Sequence, residues 1–212
     1  MDPRTSGDDR VDKQRARVHY RFKLCVRDDM KKVLIILADG FEEIEAITPI
    51  DVLRRAGLEV AIAGLVQKTV SGAHGIKFQT DLLLDEYEGL PDAVILPGGM
   101  PGAQNLGESE KVAEIIKKMN SQKKVVGAIC AAPALVLGPT GILDGKKATC
   151  YPGFEKDFPA SVAFSRDRVV VDGNVITSRG PGSAMEFALE LVELLAGSDK
   201  ARSLKEGLLV KT

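Results

Sequence analysis

The sequence predicts an α/β sandwich built on a mostly parallel sheet, and three observations indicate it. Short runs of uninterrupted apolar residues alternate along the chain with segments of helical periodicity. These runs lack the polar alternation of a strand with one face in water, so they read as strands buried on both faces. Glycine- or proline-containing turns close several of them. Such alternation of strands and helices is typical of a parallel sheet with helices packed against it.

In the first half of the chain, residues 33–38 form an apolar run closed by an Asp-Gly turn, which predicts a buried strand. Residues 42–56 follow with apolar side chains at helical spacing. Their acids come first and their arginines last, as the helix dipole favours, and a glycine follows as a stop signal. Residues 58–63 predict the next strand. Another is predicted at 93–96, where the apolar run ends in Pro-Gly-Gly.

In the second half, residues 108–119 have the periodicity of an amphipathic helix, and 124–129 form a further buried strand. Two short runs, 169–171 and 174–177, are separated by a turn at Asp-Gly, which predicts a hairpin. A C-terminal helix is predicted for 181–196, because its large apolar side chains recur along one stripe.

Residues 1–29 differ from the rest of the chain in composition. They carry eight Lys or Arg and six Asp, with no Glu and no apolar periodicity. We expect a disordered leader or an upstream extension here, followed by a single domain over 30–212. The aspartates argue against an organelle-targeting peptide, and a secretory signal would need an apolar core that is missing from this segment.

Charge and composition exclude several classes of protein. Twenty-nine basic and thirty acidic side chains give a formal net charge of -1, whereas proteins that bind nucleic acid through its phosphates are basic. The apolar runs are too short to cross a bilayer. Three cysteines and two histidines, without close pairing, predict neither a disulfide scaffold nor a metal centre. We therefore expect a soluble, cytoplasmic protein.

Cys130 directly follows the predicted strand 124–129. Ala128 and Ala132, two residues before and after it, are small enough to permit a nucleophile elbow. A helix that begins just after the cysteine would favour the thiolate, and its free N–H groups, with Gly98 or Gly99, would receive a developing oxyanion. The alternative is a small buried side chain, which is what most free cysteines are.

A reactive cysteine needs a partner for its proton. His74 lies in a turn-like segment, where an exposed histidine without a special role is the ordinary case. The loop after the first strand offers Glu42, Glu43 and Glu45 instead. Acids in a first helical turn are usually caps, an interpretation that fits Glu42 and Glu43. Glu45, near Ile44 and one turn before Pro49, is a candidate for pointing inward to the cysteine, and a carboxyl kept protonated by burial can hydrogen-bond a thiolate or move a proton. Spacing alone does not select it.

Five segments of the chain resemble the ThiJ/PfpI superfamily, and within it the Parkinson-disease-protein branch of glyoxalase or deglycase-type members. They are LADGFEEIE (37–45), DVLRRAG (51–57), LPGGMPGAQNL (96–106), GAICAAPALVL (127–137) and SRGPGSAMEFAL (178–189). The resemblance implies a flavodoxin-like three-layer sandwich, similar to class I glutamine amidotransferases, with a cysteine on a nucleophile elbow. It also implies a homodimer and no cofactor.

The same resemblance assigns roles to individual residues. Cys130 takes the place of the nucleophile, and Glu45 that of the glutamate that contacts its sulfur. Gly99 and Ala131 stand where backbone N–H groups face the substrate oxygen or an oxidised sulfur. Three more residues fall in segments near the family's pocket and dimer interface: Arg55, Gly180 and Pro181.

The chain departs from the family at three positions. Tyr151 stands where several members place a histidine close to the cysteine, and a tyrosine is a poor base near neutral pH. Ala131 stands where the protease-like branch has a histidine, which argues against a Cys-His peptidase. His74 matches an arginine of the best-known branch, so it is a candidate for contact with an anion or the substrate.

Two functions use the same residues. In the first, Cys130 attacks methylglyoxal or a related 2-oxoaldehyde, or an early adduct of it on a protein, and Glu45 moves the proton. In the second, Cys130 is an oxidisable sensor of a chaperone-like protein that protects against oxidative stress. Nucleotide binding at 98–102 is disfavoured, because neither phosphate-binding glycine motif occurs. Cys150 is predicted to be a core or interface residue, and the alternative of a disulfide with Cys130 stays open because geometry decides it.

Overall fold

The computed structural model describes residues 30–211, so the leader predicted for residues 1–29 lies outside the described residues. Strands and helices alternate through most of this range, as predicted. The strands are β1 Lys32–Leu37, β2 Glu59–Gly64, β3 Thr69–Ser71, β4 Lys77–Gln79, β5 Leu82–Leu83, β6 Ala93–Leu96, β7 Val125–Ile129, β8 Lys147–Ala148, β9 Ala163–Phe164, β10 Val169–Asp172 and β11 Val175–Ser178. The α-helices are α1 Glu43–Arg55, α2 Gly102–Gly107, α3 Glu110–Ser121, α4 Ala184–Ala196 and α5 Ser198–Gly207.

Seven of the strands form the central sheet, in the order β10-β11-β7-β6-β1-β2-β5. Every neighbouring pair is parallel except β10 and β11, which form the predicted antiparallel hairpin. This arrangement confirms the flavodoxin-like α/β sandwich. Because β1 lies between β2 and β6, the strand order reverses at β1, and the crevice at the carboxyl ends of these strands is where such sheets bind ligands.

Two apolar cores lie on opposite faces of the sheet, and the side chains of β1 alternate between them. Val33 and Ile35 pack with residues of α1 and α4 on one face, whereas Leu34 and Ile36 pack with residues of α3 on the other. These strand residues are at most 1% exposed, and burying each contributes about 1.5–3 kcal/mol of transfer free energy. Burial on both faces explains why the strand has no polar positions after Lys32.

The boundaries differ from prediction in three places. The predicted helix 108–119 is α3, which begins at Glu110 because Ser109 caps it by accepting a hydrogen bond from the N–H of Val112 at 3.3 Å. The short helix α2, which precedes it, was not predicted. A 3-10 turn, Pro181–Ser183, precedes α4. The chain then continues into α5, which was not predicted. In the range 30–211, no helix combines the length and the apolar character that crossing a membrane requires.

The hairpin of β3 and β4 was also missed, because its strands are three residues long and partly exposed. Two hydrogen bonds join it to the loop after β1: the N–H of Gly40 donates to the carbonyl of Ser71, and the N–H of Ala73 to that of Phe41, both at 2.8 Å. The turn of this hairpin therefore lies beside the first turn of α1.

Candidate active site

Cys130 sits on a tight turn at the carboxyl end of β7. Its backbone has a φ of 66°, in the left-handed region that residues other than glycine rarely adopt. Two hydrogen bonds hold this conformation: the N–H of Cys130 donates to the carbonyl of Ser178 at 2.9 Å, and its own carbonyl accepts from the N–H of Tyr151 at 2.8 Å. The turn has the strained geometry of a nucleophile elbow.

Small residues surround this turn, because the neighbouring backbone passes very close to it. Ala128 and Ala132 are fully buried. A Cβ atom on Gly98 would lie 2.6 Å from Cβ of Cys130 and 2.8 Å from Oε2 of Glu45, both closer than real Cβ contacts. The loop after β6 can therefore approach Cys130 only because residue 98 is glycine.

Glu45 lies in the first turn of α1 and is fully buried. Its Oε2 accepts a hydrogen bond of 2.9 Å from the N–H of Gly98, whereas Oε1 has no hydrogen-bond partner among the described residues. Burial raises the pKa of this carboxyl to about 7, although the Gly98 N–H and the Cys130 thiol lower it, and the negative charge of Glu42 adds to the increase. Near neutral pH, Glu45 can therefore both donate and accept a proton.

The N–H groups expected to favour the thiolate of Cys130 do so, but they do not decide the pKa of the thiol. Burial and the charge of Glu45 raise the pKa of the thiol, and they outweigh the N–H groups of Gly99 and Ala131, which lower it. The helix that follows is also only a five-residue π-helical segment, Pro133–Leu137, so its dipole contributes little. Protonation of Glu45 would remove its negative charge and, with it, that part of the increase in the pKa of Cys130.

The expectation for Gly98 also needs correction. Its N–H is already occupied by Oε2 of Glu45, so it is not a free donor for an oxyanion. Gly99 and Ala131 remain, and both direct their N–H groups at the sulfur of Cys130. The structure thus separates the two glycines: Gly98 positions the acid, and Gly99 faces the nucleophile.

Glu42 occupies the N-cap position of α1 and Glu43 its first turn, but neither side chain makes the cap hydrogen bond that their interpretation as caps implied. Oε1 of Glu43 instead accepts from the backbone N–H groups of His74 at 2.8 Å and Ile76 at 3.4 Å. Nδ1 of His74 lies 2.9 Å from Oε2 of Glu43 and 3.4 Å from Oε2 of Glu42. Within residues 30–211 these three side chains are also the one trio whose ligand atoms converge as a metal site would require, all within 4.8 Å of one another.

A cavity of about 620 Å³ opens over the cysteine and connects these features. It is lined by Glu42, Glu43, Ile44, His74, Ile76, Gly99, Cys130, Tyr151 and Pro181. Glu45 lies beneath Cys130, and a Cβ atom on Gly180 would lie 3.0 Å from the ring of Tyr151. A second cavity, of about 580 Å³ at the carboxyl end of β1, contains neither Cys130 nor Glu45.

Four expected site residues do not line this cavity but lie directly behind residues that do: Glu45, Gly98, Ala131 and Gly180. Arg55 lies away from it. It ends α1 at the opposite end from Glu45, is half-exposed and pairs with Asp51 at 2.7 Å. Its expected place at a dimer interface remains a prediction. Cys150 is a buried free thiol, and burial raises its pKa to about 12.

Sequence reasoning missed the cluster of Glu42, Glu43 and His74 as a unit. The only signal was a histidine between two glycines, because the contact depends on a hairpin that was not predicted. Ile44 and Ile76 were also missed as cavity residues. In the structure both are more than half exposed.

Comparison with known proteins agrees with this architecture. Residues 31–194 match the model of the DJ-1/PfpI family. Among solved structures, Drosophila melanogaster DJ-1beta superposes with a TM-score of 0.81 at 41% identity, and oxidized Toxoplasma gondii DJ-1 with 0.80 at 40%. Each superposition covers 86% of this chain and 100% of the other.

Three relatives extend the comparison. The Parkinson disease protein 7 homolog of Danio rerio is 44% identical over 186 residues, covering 85% of this chain and 98% of its own. A deglycase of Pyrococcus abyssi is 39% identical over 168 residues, covering 77% and 99%. DJ-1 homolog B of Arabidopsis thaliana is 42% identical over 184 residues, 86% of this chain, but this chain spans only 42% of that relative. With a family model matched over most of its length, the chain belongs to the DJ-1/PfpI family.

Proposed function

We propose that this chain is a cofactor-independent glyoxalase or deglycase-type enzyme that acts on 2-oxoaldehydes such as methylglyoxal or on their early protein adducts. One observation carries the proposal: a buried carboxyl with a pKa of about 7, on Glu45, interacts with the thiol of Cys130 beneath an open cavity. A nucleophile and a proton carrier that is half-ionised near neutral pH are the two groups that this chemistry needs.

The first step is addition. The thiol proton of Cys130 is transferred to the carboxylate of Glu45, the resulting thiolate attacks the aldehyde carbon, and the carbonyl oxygen takes the proton from Glu45 to give a hemithioacetal. The Gly99 and Ala131 N–H groups, which face the sulfur, lie where they would stabilise the negative charge that develops beside it.

The second step is isomerisation. Glu45, now a carboxylate, removes the proton from the former aldehyde carbon and returns it to the neighbouring carbonyl carbon, while the hydroxyl proton of the hemithioacetal passes to the neighbouring oxygen. The first carbon is oxidised to a thioester and the second is reduced to a secondary alcohol, so no external redox partner is required. Water then hydrolyses the thioester to a 2-hydroxy acid and regenerates the thiol. In this sequence Tyr151 is not needed as a base.

Deglycation would begin from a different substrate with the same two residues. When the aldehyde has already added to a thiol or an amine of a protein, Cys130 would capture the aldehyde carbon as the protein group leaves. The deglycase of Pyrococcus abyssi, 39% identical to this chain, supports including this substrate class.

The test is glutathione-free consumption of methylglyoxal with detection of lactate. We expect turnover by the full chain, loss of at least a hundredfold in Cys130→Ala and Glu45→Gln, and near-normal turnover in Cys150→Ala, which removes the other buried thiol. Intact mass must show reduced Cys130 in every sample. An absence of turnover in reduced protein would refute the proposal.

A second candidate function, a redox sensor with a chaperone-like role, is favoured by the N–H groups of Gly99 and Ala131, because the same donors would stabilise an oxidised sulfur. The solved Toxoplasma gondii relative, described as oxidized, is consistent with it. Peroxide titration with intact mass would favour this function if Cys130 gains two oxygens at low peroxide while reduced protein shows no turnover.

A further inference from the structure

The entrance to the Cys130 cavity carries an unbalanced charge. Two carboxylates, Glu42 and Glu43, line it together with one imidazole, His74. The charged groups that the described chain contributes to this lining include no Lys or Arg. Even when His74 is protonated, one positive charge faces two negative ones, so the entrance is negative at neutral pH.

The two carboxylates are held in different ways. Glu43 is anchored, because its Oε1 accepts two backbone N–H groups and its Oε2 lies 2.9 Å from the His74 ring. Gly72 leaves room for it, since a Cβ atom there would overlap the carboxylate. Among the described residues, the carboxylate of Glu42 has one ion-pair or hydrogen-bond partner, Nδ1 of His74 at 3.4 Å, although Glu42 is only 9% exposed.

Glu42 is therefore the carboxylate with free acceptor capacity inside the cavity. A carboxylate offers about four lone-pair positions, and one long contact with an imidazole satisfies few of them. Burial reduces its hydration, so a cationic group that enters the cavity would gain more from it than from a carboxylate in water. The charge of Glu42 also reaches the chemistry, because it contributes to the raised pKa of Glu45.

We infer that the Glu42–His74–Glu43 entrance selects positively charged carbonyl adducts over anionic ones for reaction at Cys130. The chemical class is an aldehyde adduct that carries a guanidinium or ammonium group, and aldehydes that carry a carboxylate or phosphate are disfavoured. Glu42 is the specificity-determining residue. As a statement about substrates, this inference rests on the proposed function, but the charge preference itself can be measured without turnover.

The test uses two thiol reagents that differ in charge: methanethiosulfonates carrying a trimethylammonioethyl or a sulfonatoethyl group. In each case the Cys130 thiolate attacks the sulfenyl sulfur, a mixed disulfide forms and methanesulfinate leaves. Labelling of the full chain in a Cys25→Ser background is followed by mass spectrometry, with Cys130→Ser as the site control. The ratio of the two labelling rates cancels the intrinsic reactivity of Cys130. Dividing it by the same ratio for a small free thiol cancels the intrinsic difference between the two reagents.

We expect the cationic reagent to be favoured by roughly tenfold at low ionic strength, with the preference collapsing in 1 M salt. Glu42→Gln should bring the ratio close to one, and His74→Ala should increase it, because it removes the positive charge. Glu114→Gln, which neutralises an exposed carboxylate on α3, is the matched control and should leave the ratio unchanged. The inference would be overturned if the normalised ratio were one in the parent protein, or if Glu42→Gln left the ratio unchanged. Either result leaves methylglyoxal turnover as a separate question.

Discussion

The N–H of Gly98 donates a hydrogen bond of 2.9 Å to Oε2 of Glu45, and this bond joins the loop after β6 to the first turn of α1. It fixes the buried carboxyl beside Cys130 and satisfies one of its two oxygens. It also takes Gly98 out of the set of free donors. The arrangement of the site therefore depends on a close backbone approach that only a glycine at position 98 permits.

Gly98→Ala should separate Glu45 from Cys130. The added Cβ would lie 2.6 Å from Cβ of Cys130, so the backbone must shift, at a cost of about 1–3 kcal/mol. We expect methylglyoxal turnover to fall at least a hundredfold in a protein that still folds, measured by activity and by urea unfolding. Gly182→Ala is the matched control, because a Cβ atom there meets nothing within 4 Å. Equal activity in both variants would contradict the geometry.

Glu45 should make the stability of the fold depend on pH. Its pKa is about 7 in the folded chain and 4.5 as the ordinary value. A carboxyl whose pKa is raised by folding stabilises the native state only while it is protonated. Its contribution is fully present below pH 4.5 and is lost as the pH rises through 7, which amounts to roughly 3 kcal/mol.

Glu45→Gln removes this titration while keeping an oxygen to accept from Gly98. The free energy of unfolding of Glu45→Gln minus that of the parent should therefore increase by roughly 3 kcal/mol between pH 4 and pH 8, measured by urea denaturation. Glu114→Gln should show no such trend. A constant difference across this range would mean that the Glu45 carboxyl is not held near neutral pKa.

The left-handed backbone of Cys130 predicts an unusual order of stability. Cys130→Gly should be more stable than Cys130→Ala by about 1 kcal/mol, because glycine adopts this conformation without the cost that a Cβ atom imposes. At Cys150, whose φ is not positive, the order should be reversed, with Ala the more stable. Thermal or urea unfolding of the four variants gives the comparison. If Ala were more stable than Gly at position 130 as well as at position 150, the elbow would carry no such strain.

The family resemblance predicts a homodimer, and α1 offers exposed apolar side chains for it. Ile44 and Ile47 are 53% and 41% exposed on this helix. We expect sedimentation to show a dimer that Ile47→Glu converts largely to monomer, whereas Val66→Glu, at an apolar residue that is 83% exposed, leaves it intact. A chain that sediments as a monomer before any substitution would refute this expectation.

Much of the fold was accessible from the sequence, because its main strands are local apolar runs. The pattern predicted β1, β2, β6, β7 and the β10–β11 hairpin to within a residue or two. The short strands β3, β4 and β5 escaped, since two or three partly exposed residues carry no periodicity. Their pairing is stabilised by the rest of the fold and not by their own composition.

The site divides in the same way. The sequence placed Cys130 at a strand end between small residues, because a strand end is a property of neighbouring residues along the chain, and the resemblance of its motifs to the family marked Glu45 as the partner. Only the tertiary structure decided that Gly98 serves Glu45, that burial raises the pKa of Cys130, and that Glu42, Glu43 and His74 form one charged entrance. These properties depend on dehydration and on contacts between distant segments, and both arise only when the sheet brings its strand ends together.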